Sequence, residues 1–241
     1  MPETADIVLI LEGNSDLRVV RGLAERALLE ATPDFVADFF VWRGLESHQP
    51  YLLWRDVNVE LRQRRMTRLY GKFNGLEGSP YAFRTRHALL LAQHANPLAV
   101  VLVCDADNQP ERLLGLQQAR DSHFADHYPV VVAVANPCRE AWLVCGFTPQ
   151  NNTEKNLLET LHQELSFQPC LQPERLNTAD SHVRNAKTVL SRLTSGSLER
   201  EHQILELAVF SRLLEHGQNC GLTAFLEEVR SKLAPLLGVR A

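Results

Sequence analysis

The sequence predicts an α/β domain, with a central and mostly parallel sheet flanked by helices, followed by an all-helical C-terminal region. Short continuous apolar runs alternate with amphipathic segments of helix length along the first part of the chain, as in parallel sheets with crossover helices. Acidic residues follow two of these runs directly. Beyond residue 147 the sequence shows only helical patterns, so we expect an α/β domain over 1–147 and a helical region over 148–241.

The composition limits the classes of protein to be considered. The 241 residues carry a formal net charge of −4, with five cysteines and nine histidines. The cysteines are not spaced in pairs, which predicts reduced thiols in a cytoplasmic protein. The histidines are scattered along the chain and do not favour a zinc site. No apolar run reaches the ~18 residues that a membrane span needs, and the first residues lack the basic segment of a secretory signal. Because the net charge is acidic, nucleic-acid binding would require a local basic patch.

The first strand is expected at Asp6–Leu11, which is continuously apolar after its first residue. A tight turn, Glu12–Asp16, follows because glycine and asparagine tolerate left-handed backbone. Ser15 or Asp16 can then cap a helix over 17–29. The apolar residues of that helix recur at helical spacing, at Val20, Leu23, Ala24, Ala27 and Leu28. Asp16 therefore has two interpretations, as a helix cap or as a member of an acidic cluster.

The remaining elements are assigned from the same patterns. Strands are expected over 35–42, 98–104 and 128–134, which with the first strand makes four strand–helix units. Helices are expected over 50–62, 81–95 and 109–124, with a short one beginning near residue 139. The C-terminal helices are expected over 153–165, 179–193, 199–215 and 222–237.

One stretch concentrates positive charge. Between residues 61 and 104 the only carboxylate is Glu77, while the cations are Arg62, Arg64, Arg65, Arg68, Lys72, Arg84 and Arg86. Cations mixed with aromatic residues and glycines are typical of loops that bind a phosphate backbone. A solvated basic face is the alternative interpretation.

Acidic residues stand where two strands are expected to end. Glu12 follows the first strand, and Asp105 and Asp107 follow the strand over 98–104. Parallel strands expose their carboxyl ends to one crevice, so these carboxylates are expected to lie together. Carboxylate oxygens suit Mg²⁺ or Mn²⁺. Glu140 arises near the same edge, although a glutamate in a first helical turn is also favoured by the helix dipole.

These residues resemble a known family. The pairing of Glu12-Gly13-Asn14-Ser15-Asp16 with Asp105-Ala106-Asp107 is similar to the Toprim domain of topoisomerases, primases and certain nucleases. The stretch 136–143, Asn-Pro-Cys-Arg-Glu-Ala-Trp-Leu, resembles single-domain Toprim proteins of bacterial defence systems, of the RloB type and the nuclease half of overcoming-lysogenization-defect (OLD) enzymes. The resemblance covers about the first 145 residues.

The resemblance implies a hydrolase, a divalent-metal-dependent nuclease that cleaves phosphodiester bonds of DNA or RNA. It implies a metal site formed by Glu12, Asp16, Asp105, Asp107 and Glu140, with Glu12 as ligand or general base. Lys72 would assist catalysis and, with the arginines named above, hold phosphates. Relatives of this kind work beside an ABC-type ATPase. This sequence has no Walker motif, so that partner would be a separate subunit in an anti-phage defence system. Homo-oligomers are compatible with the sequence.

Two other functions stay open. The chain can be a non-catalytic subunit, in which a Toprim-like fold binds metal or phosphate while the helical region docks on a partner. Phosphoryl transfer on a small molecule is disfavoured, because phosphatases of the haloacid-dehalogenase type carry their Asp-x-Asp on the first strand. The sequence has this motif on a later strand.

Overall fold

The computed structural model describes residues 5–34, 39–66, 73–124 and 127–238. It contains a five-stranded sheet with the strand order β2-β1-β4-β5, and the short β3 also pairs with β1. The strands are β1 (Ala5–Leu11), β2 (Phe40–Arg43), β3 (Leu52–Leu53), β4 (Ala99–Asp105) and β5 (Val130–Ala135). The α/β class predicted from the sequence is confirmed, with a mostly parallel sheet flanked by helices.

The centre of the sheet is the parallel pair β1 and β4. Ile7 lies opposite Ala99, and Ile10 lies opposite Leu102. The apolar run Ile7–Leu11 is completely buried, as expected for a strand covered on both faces. The two strands are parallel neighbours, so their carboxyl ends lie at the same edge of the sheet. Glu12 directly follows the end of β1, and Cys104 and Asp105 are the last residues of β4. The adjacency of these two strands, expected from the sequence, is confirmed.

Helices follow the strands in the order that a parallel sheet requires. They are α1 (Asp16–Ala31), α2 (Val57–Gln63), α3 (Ser79–His94) and α4 (Glu111–Ala119), with a π-type turn over Arg120–Phe124. The apolar face predicted for α1 is buried, from Val20 to Leu28. On α3 the predicted apolar residues are completely buried as well, namely Ala88, Leu89, Leu91 and Ala92.

The segment after residue 50 differs from its prediction. The sequence suggested a helix over 50–62, but Leu52 and Leu53 form β3 and pair with Ile10 and Leu11 of β1. A 3₁₀ turn, Trp54–Asp56, then leads into α2. Pairing with the end of β1 leaves both leucines buried, and this long-range contact overrides the local helical pattern. The strand expected over 35–42 is observed at Phe40–Arg43, and residues 35–38 lie outside the described residues.

Helices α3 and α4 approach each other closely at two glycines. A methyl group on Gly115 would lie 2.5 Å from the carbonyl oxygen of Gly78 and 2.6 Å from the Cβ of Tyr81. Gly78 has a φ of +76°, a left-handed conformation that glycine adopts without strain. The backbones can therefore touch, which fixes how the side chains of α3 and α4 are placed relative to each other.

The chain divides into two compact units. One consists of Met1–Cys104, Gln109–Ala133 and Glu227–Ala241 in their described parts, and the other of Asp105–Asn108 and Val134–Leu226. These bounds differ from the segments 1–147 and 148–241. Helix α5 (Arg139–Gly146) belongs to the second unit because it packs on the later helices α7, α8 and α9.

The second unit is helical, as its sequence pattern predicts. Its helices are α5, α6 (Asn152–Leu165), α7 (Ala186–Leu193), α8 (Leu198–Leu207), α9 (Phe210–His216) and the start of α10 (Leu222–Lys232), which α11 (Ala234–Gly238) follows. The helix expected over 179–193 is observed only at Ala186–Leu193, and the helix expected over 199–215 is divided into α8 and α9. Helix α8 ends at Leu207, because the backbone of the next residue, Ala208, is extended. Within the described residues, none of the helices has the length and apolarity to cross a membrane.

Candidate functional site

A pocket opens at the carboxyl end of β1 within the first unit. Its cavity volume is about 40 Å³, and the space around it amounts to about 310 Å³ when the adjoining open solvent is included. We call it the arginine pocket; its lining residues are Glu12, Trp54, Tyr81, Arg84, Thr85, Cys104, Arg112 and Leu116. The crevice outside the carboxyl ends of parallel strands is where ligands bind in open α/β sheets. The position alone therefore makes this pocket the first candidate for a functional site.

An ion pair lies in the pocket. The Nη1 of Arg112 donates to the Oε1 of Glu12 at 3.0 Å. The Arg112 guanidinium also lies 5.5 Å from the centre of the Tyr81 ring, in the range of a cation–π contact. Arg112 is only 14% exposed in its side chain and Glu12 31%. The pocket thus holds a carboxylate and a guanidinium in fixed positions.

A second arginine is positioned by a tryptophan. The indole Nε1 of Trp54 donates to the carbonyl oxygen of Val103 at 2.8 Å, which anchors the ring against β4. The guanidinium of Arg84 lies 5.9 Å from the centre of that ring. Arg84 belongs to the predicted basic patch, and this contact places it at the pocket wall. Two guanidinium groups and one carboxylate therefore line the pocket.

Two polar atoms of the pocket wall lack hydrogen-bond partners. The hydroxyl of Thr85 is completely buried and has no partner among the described residues. The Nε of Arg84 is likewise buried and unpaired. Buried donors without partners are rare in folded proteins, and each needs a specific explanation.

The other cations of the predicted patch are distributed differently. Arg62 and Arg65 are exposed on the surface. Arg64 pairs with Glu46 at 2.6 Å and with Glu60 at 3.3 Å; its hydrogen bond and charge lower the pKa of Glu46.

The three remaining cations of the patch are not observed in the pocket either. Arg86 lies 6.0 Å from the centre of the Phe73 ring and does not line the pocket. Arg68 and Lys72 fall outside the described residues. Of the seven cations, only Arg84 therefore reaches the pocket among those that the structure describes.

Asp16 stabilises the turn after β1. Its Oδ2 accepts a hydrogen bond of 2.8 Å from the backbone nitrogen of Gly13. Ser15 occupies the N-cap position of α1 but makes no side-chain cap hydrogen bond, so Ser15, one of the two residues considered as a cap, does not cap the helix through its side chain. Asp16 instead closes the loop that carries Glu12.

The remaining acidic residues lie in the second unit, in what we call the acidic turn, formed by Asp105, Asp107, Arg139 and Glu140. The backbone nitrogen of Arg139 donates to Asp105 at 2.8 Å. The Arg139 guanidinium donates to the Oε1 of Glu140 at 2.7 Å. The acidic turn thus contains three carboxylates and one guanidinium.

The backbone of the acidic turn bends sharply after Ala106. Asp107 and Asn108 have φ angles of +46° and +60°, which aspartate and asparagine adopt more readily than most residues. The nitrogens of Ala106 and Asp107 donate to the carbonyl oxygens of Ala135 and Pro137. The turn after β4 is therefore fixed against the segment after β5.

Cys138 lies beside these carboxylates but is not an activated nucleophile. Burial raises the pKa of the Cys138 thiol, and the charge of Glu140 and that of Asp105 raise it further. A thiol in this environment stays protonated at neutral pH and reacts poorly.

A metal ion was expected at the acidic residues. Within the described parts of the chain, no group of three or more histidine, cysteine, aspartate or glutamate residues is placed so that it could hold one. Glu12 is bonded to Arg112, Asp16 to a backbone nitrogen, and Glu140 to Arg139. The carboxylate oxygens of all five residues are of the type that Mg²⁺ and Mn²⁺ bind.

Comparisons with protein-family models, curated proteins and solved structures give no match. The geometry of the two sites is therefore the basis for a functional interpretation.

Several residues of these sites were not singled out from the sequence. They are Trp54, Tyr81, Thr85, Arg112 and Arg139. Arg112 follows shortly after the Asp-x-Asp motif, and Arg139 directly precedes Glu140, so proximity to the acidic residues was the available signal. Trp54 and Thr85 carry no such signal, because their positions depend on the pairing of β3 and on the packing of α3.

Proposed function

We propose that this protein hydrolyses phosphodiester bonds of nucleic acid, as a nuclease. The observation that carries the proposal is the arginine pocket at the carboxyl end of β1, which Arg84, Arg112 and Glu12 line together. Guanidinium groups bind phosphate oxygens and offset the charge that develops on them during displacement. Glu12 is a carboxylate able to accept the proton of an attacking water.

Each step of this reaction assigns a role to residues of the chain. Arg84 and Arg112 bind and orient the phosphate oxygens, and their aromatic partners hold the guanidinium groups in place. Glu12, positioned by Arg112, takes up the proton of the water. Arg62 and Arg65, which are exposed, are proposed to contact backbone phosphates further along the nucleic acid.

The divalent cation belongs to the proposal through the family resemblance and the donor type of Asp105, Asp107 and Glu140. Mg²⁺ or Mn²⁺ would supply charge stabilisation at the phosphate. A cytoplasmic role in anti-phage defence, with a separate ABC-type ATPase as partner, rests on the same resemblance to RloB-type and OLD-family proteins.

The experiment is a cleavage assay on single-stranded and duplex DNA and on RNA, with Mg²⁺, with Mn²⁺ and with EDTA. We expect cleavage with a divalent cation and none with EDTA. Asp105→Asn should abolish it, while the control Asp121→Asn should not, because Asp121 is an exposed partner of Arg120. Full activity of the folded Asp105→Asn variant, or no cleavage of any substrate, would contradict the proposal.

A second function is favoured by two observations. Glu12 and Glu140 each bind an arginine, and no metal-binding group occurs among the described residues. Both facts suit a non-catalytic subunit that binds an anionic ligand and docks on a partner. Nucleotide binding without cleavage, in the chain alone and in its purified complex, would favour this alternative.

A further inference from the structure

Two arginine side chains of the second unit contact the same phenylalanine ring. The guanidinium carbon of Arg175 lies 4.3 Å from the centre of the Phe167 ring, and that of Arg184 lies 5.4 Å from the same centre. Both distances are in the range of a cation–π contact, and they place the two guanidinium groups within about 10 Å of each other. We call the region formed by Phe167, Arg175 and Arg184 the Phe167 surface.

The two positive charges of the Phe167 surface have no counter-charge within the protein. Among the described residues, neither Arg175 nor Arg184 forms an ion pair. The carboxylates nearest to them in the sequence, Glu174 and Asp180, pair with neither arginine. A further exposed cation, Lys187, follows in the first turn of α7. Two like charges held this close repel each other, so an anion that contacts both is stabilised here.

Both guanidinium groups keep hydrogen-bond donors for such an anion. A guanidinium carries five N–H donors, and the ring attracts its charge without needing them. The Nη1 of Arg175 donates to the Oε1 of Gln172 at 2.9 Å, while the Arg184 side chain makes no hydrogen bond to a described residue. Arg175 is exposed and Arg184 is half-buried. The remaining donors are therefore available to a ligand from solvent.

The backbone under these side chains is fixed. The nitrogen of Arg184 donates to the Nδ1 of His182 at 3.0 Å, and its carbonyl oxygen accepts a hydrogen bond of 2.9 Å from the nitrogen of Asn177. Arg175 ends a 3₁₀ turn that begins at Pro173. The Phe167 ring itself is only 3% exposed. Arginines on a fixed backbone and against a buried ring lose less freedom on binding than free surface side chains do.

A nucleic-acid strand supplies anions in the arrangement that this surface needs. Its phosphates repeat at short intervals, with one charge per about 3.4 Å of each strand, so that two neighbouring cations can each contact one. Guanidinium groups bind phosphate oxygens through two parallel hydrogen bonds. An acidic protein segment offers carboxylates without such a regular repeat, which makes it the less suitable partner.

We infer that the Phe167 surface is a second binding site for the phosphate backbone of nucleic acid, in which Arg175 and Arg184 each contact one phosphate. This inference rests on the proposed function, since its ligand is the nucleic acid proposed as substrate. It assigns phosphate contacts to residues of the helical unit that do not belong to the arginine pocket. Contacts of this kind add affinity that does not depend on the base sequence.

The test is the binding of a fluorescein-labelled single-stranded oligonucleotide, as DNA and as RNA, measured by fluorescence anisotropy at several salt concentrations in EDTA. The logarithm of the association constant falls with the logarithm of the salt concentration, by about 0.7 for each phosphate contact of a single strand. Arg184→Gln should therefore reduce this slope by about 0.7 and weaken binding about fivefold at about 0.1 M salt. The double variant Arg175→Gln/Arg184→Gln should lose about twice that slope and about 25-fold in affinity.

The matched control is Arg192→Gln. Arg192 also lies on α7, but two of its nitrogens donate to the carboxylate of Glu164, so its charge already has a partner. This variant changes the net charge as much as Arg184→Gln does and should keep the native slope. Equal losses of slope in Arg192→Gln and Arg184→Gln would mean that only the total charge matters, and would overturn the inference.

The outcomes separate this inference from the proposed function, because binding is measured in EDTA and cleavage is measured independently. Native slope and affinity in the double variant, shown to be folded by thermal unfolding, would overturn the inference even if the protein cleaves nucleic acid. A labelled oligoglutamate that binds the native protein but not the double variant, while both bind nucleic acid equally, would assign the surface to an acidic protein partner instead. The expected losses would support the inference even if no cleavage is found, in which case the hydrolase proposal fails alone.

Discussion

The guanidinium of Arg112 donates to the carboxylate of Glu12 at 3.0 Å, joining the residue that follows β1 to the first turns of α4, one hundred positions further along the chain. Helix α4 thereby contributes a charge to the end of the sheet. The same guanidinium lies over Tyr81 of α3, so that two helices and one strand end determine its position. The arginine pocket depends on these contacts.

The role of Arg112 can be measured through binding. Arg112→Gln removes one of the two positive charges of the pocket and the hydrogen bond that holds Glu12. We expect the dissociation constant of the methyl ester of thymidine 5′-monophosphate to rise about tenfold or more, the scale of a lost charged hydrogen bond. The dissociation constant is measured at neutral pH by NMR titration in EDTA.

The control for this variant is another arginine–glutamate pair. Arg21 pairs with Glu25 at 2.6 Å on the surface of α1, and it does not line the pocket. Arg21→Gln should leave the affinity unchanged. Native affinity in the folded Arg112→Gln variant would show that Arg112 does not contact the ligand.

A second prediction concerns the contact between α3 and α4. Gly115→Ala places a methyl group 2.5 Å from the Gly78 carbonyl oxygen, so the two helices must separate. Overpacking of this kind costs about 1–3 kcal/mol. Because Arg112 is on α4 and Arg84 on α3, we expect weaker binding of the methyl ester as well as a lower free energy of unfolding.

The measurements are urea unfolding and the same titration. Leu114→Ala serves as the control, since this residue lies on α4 but is 37% exposed, and it should change both quantities little. A Gly115→Ala protein with native stability and native affinity would mean that the two backbones are not in contact.

The sequence predicted the positions of elements that are set by local patterns. The buried face of α1, the apolar face of α3 and the adjacency of β1 and β4 follow from residue periodicity and from the rules of parallel sheets. Glu12 and Asp105 were placed at strand ends for the same reason. The two helix faces needed no knowledge of contacts between distant segments, and the adjacency of β1 and β4 needed only the rules of parallel sheets.

The parts that were not predicted depend on such contacts. Leu52 and Leu53 form a strand because β1 has an open position beside its end, and Trp54 is carried into the pocket as a result. The partner of Arg64 is Glu46, from outside the basic stretch, which the local charge count did not reveal.

A third prediction concerns acid stability in the second unit. The hydrogen bonds and charge of Arg200 lower the pKa of Glu154 from its ordinary value of 4.5, and both side chains are mostly buried. Near and somewhat below pH 4.5 the unfolded chain therefore binds more protons at Glu154 than the folded protein does. The stabilisation is present above that pH and is lost as the pH falls. Glu154→Gln should lower stability at neutral pH and reduce its loss in acid.

Urea unfolding at about pH 7 and about pH 4 measures this difference. Glu164→Gln is the matched control. Both carboxylate oxygens of Glu164 also accept hydrogen bonds from an arginine, Arg192, but this pair lies on the surface. Exposed ion pairs contribute little, so we expect a smaller effect at both pH values. If the two variants lose stability equally, burial of the Glu154–Arg200 pair is not what makes it important.

The central claim is that Glu12 takes part in cleaving a phosphodiester bond. The most direct measurement is the single-turnover cleavage rate of a nucleic-acid substrate by the native protein, by Glu12→Gln and by Glu111→Gln, a neighbouring acidic residue that does not line the pocket. General acid–base catalysis contributes about 10²–10⁴-fold. We predict a loss of that order for Glu12→Gln and a native rate for Glu111→Gln. A native rate in the folded Glu12→Gln variant would contradict the claim.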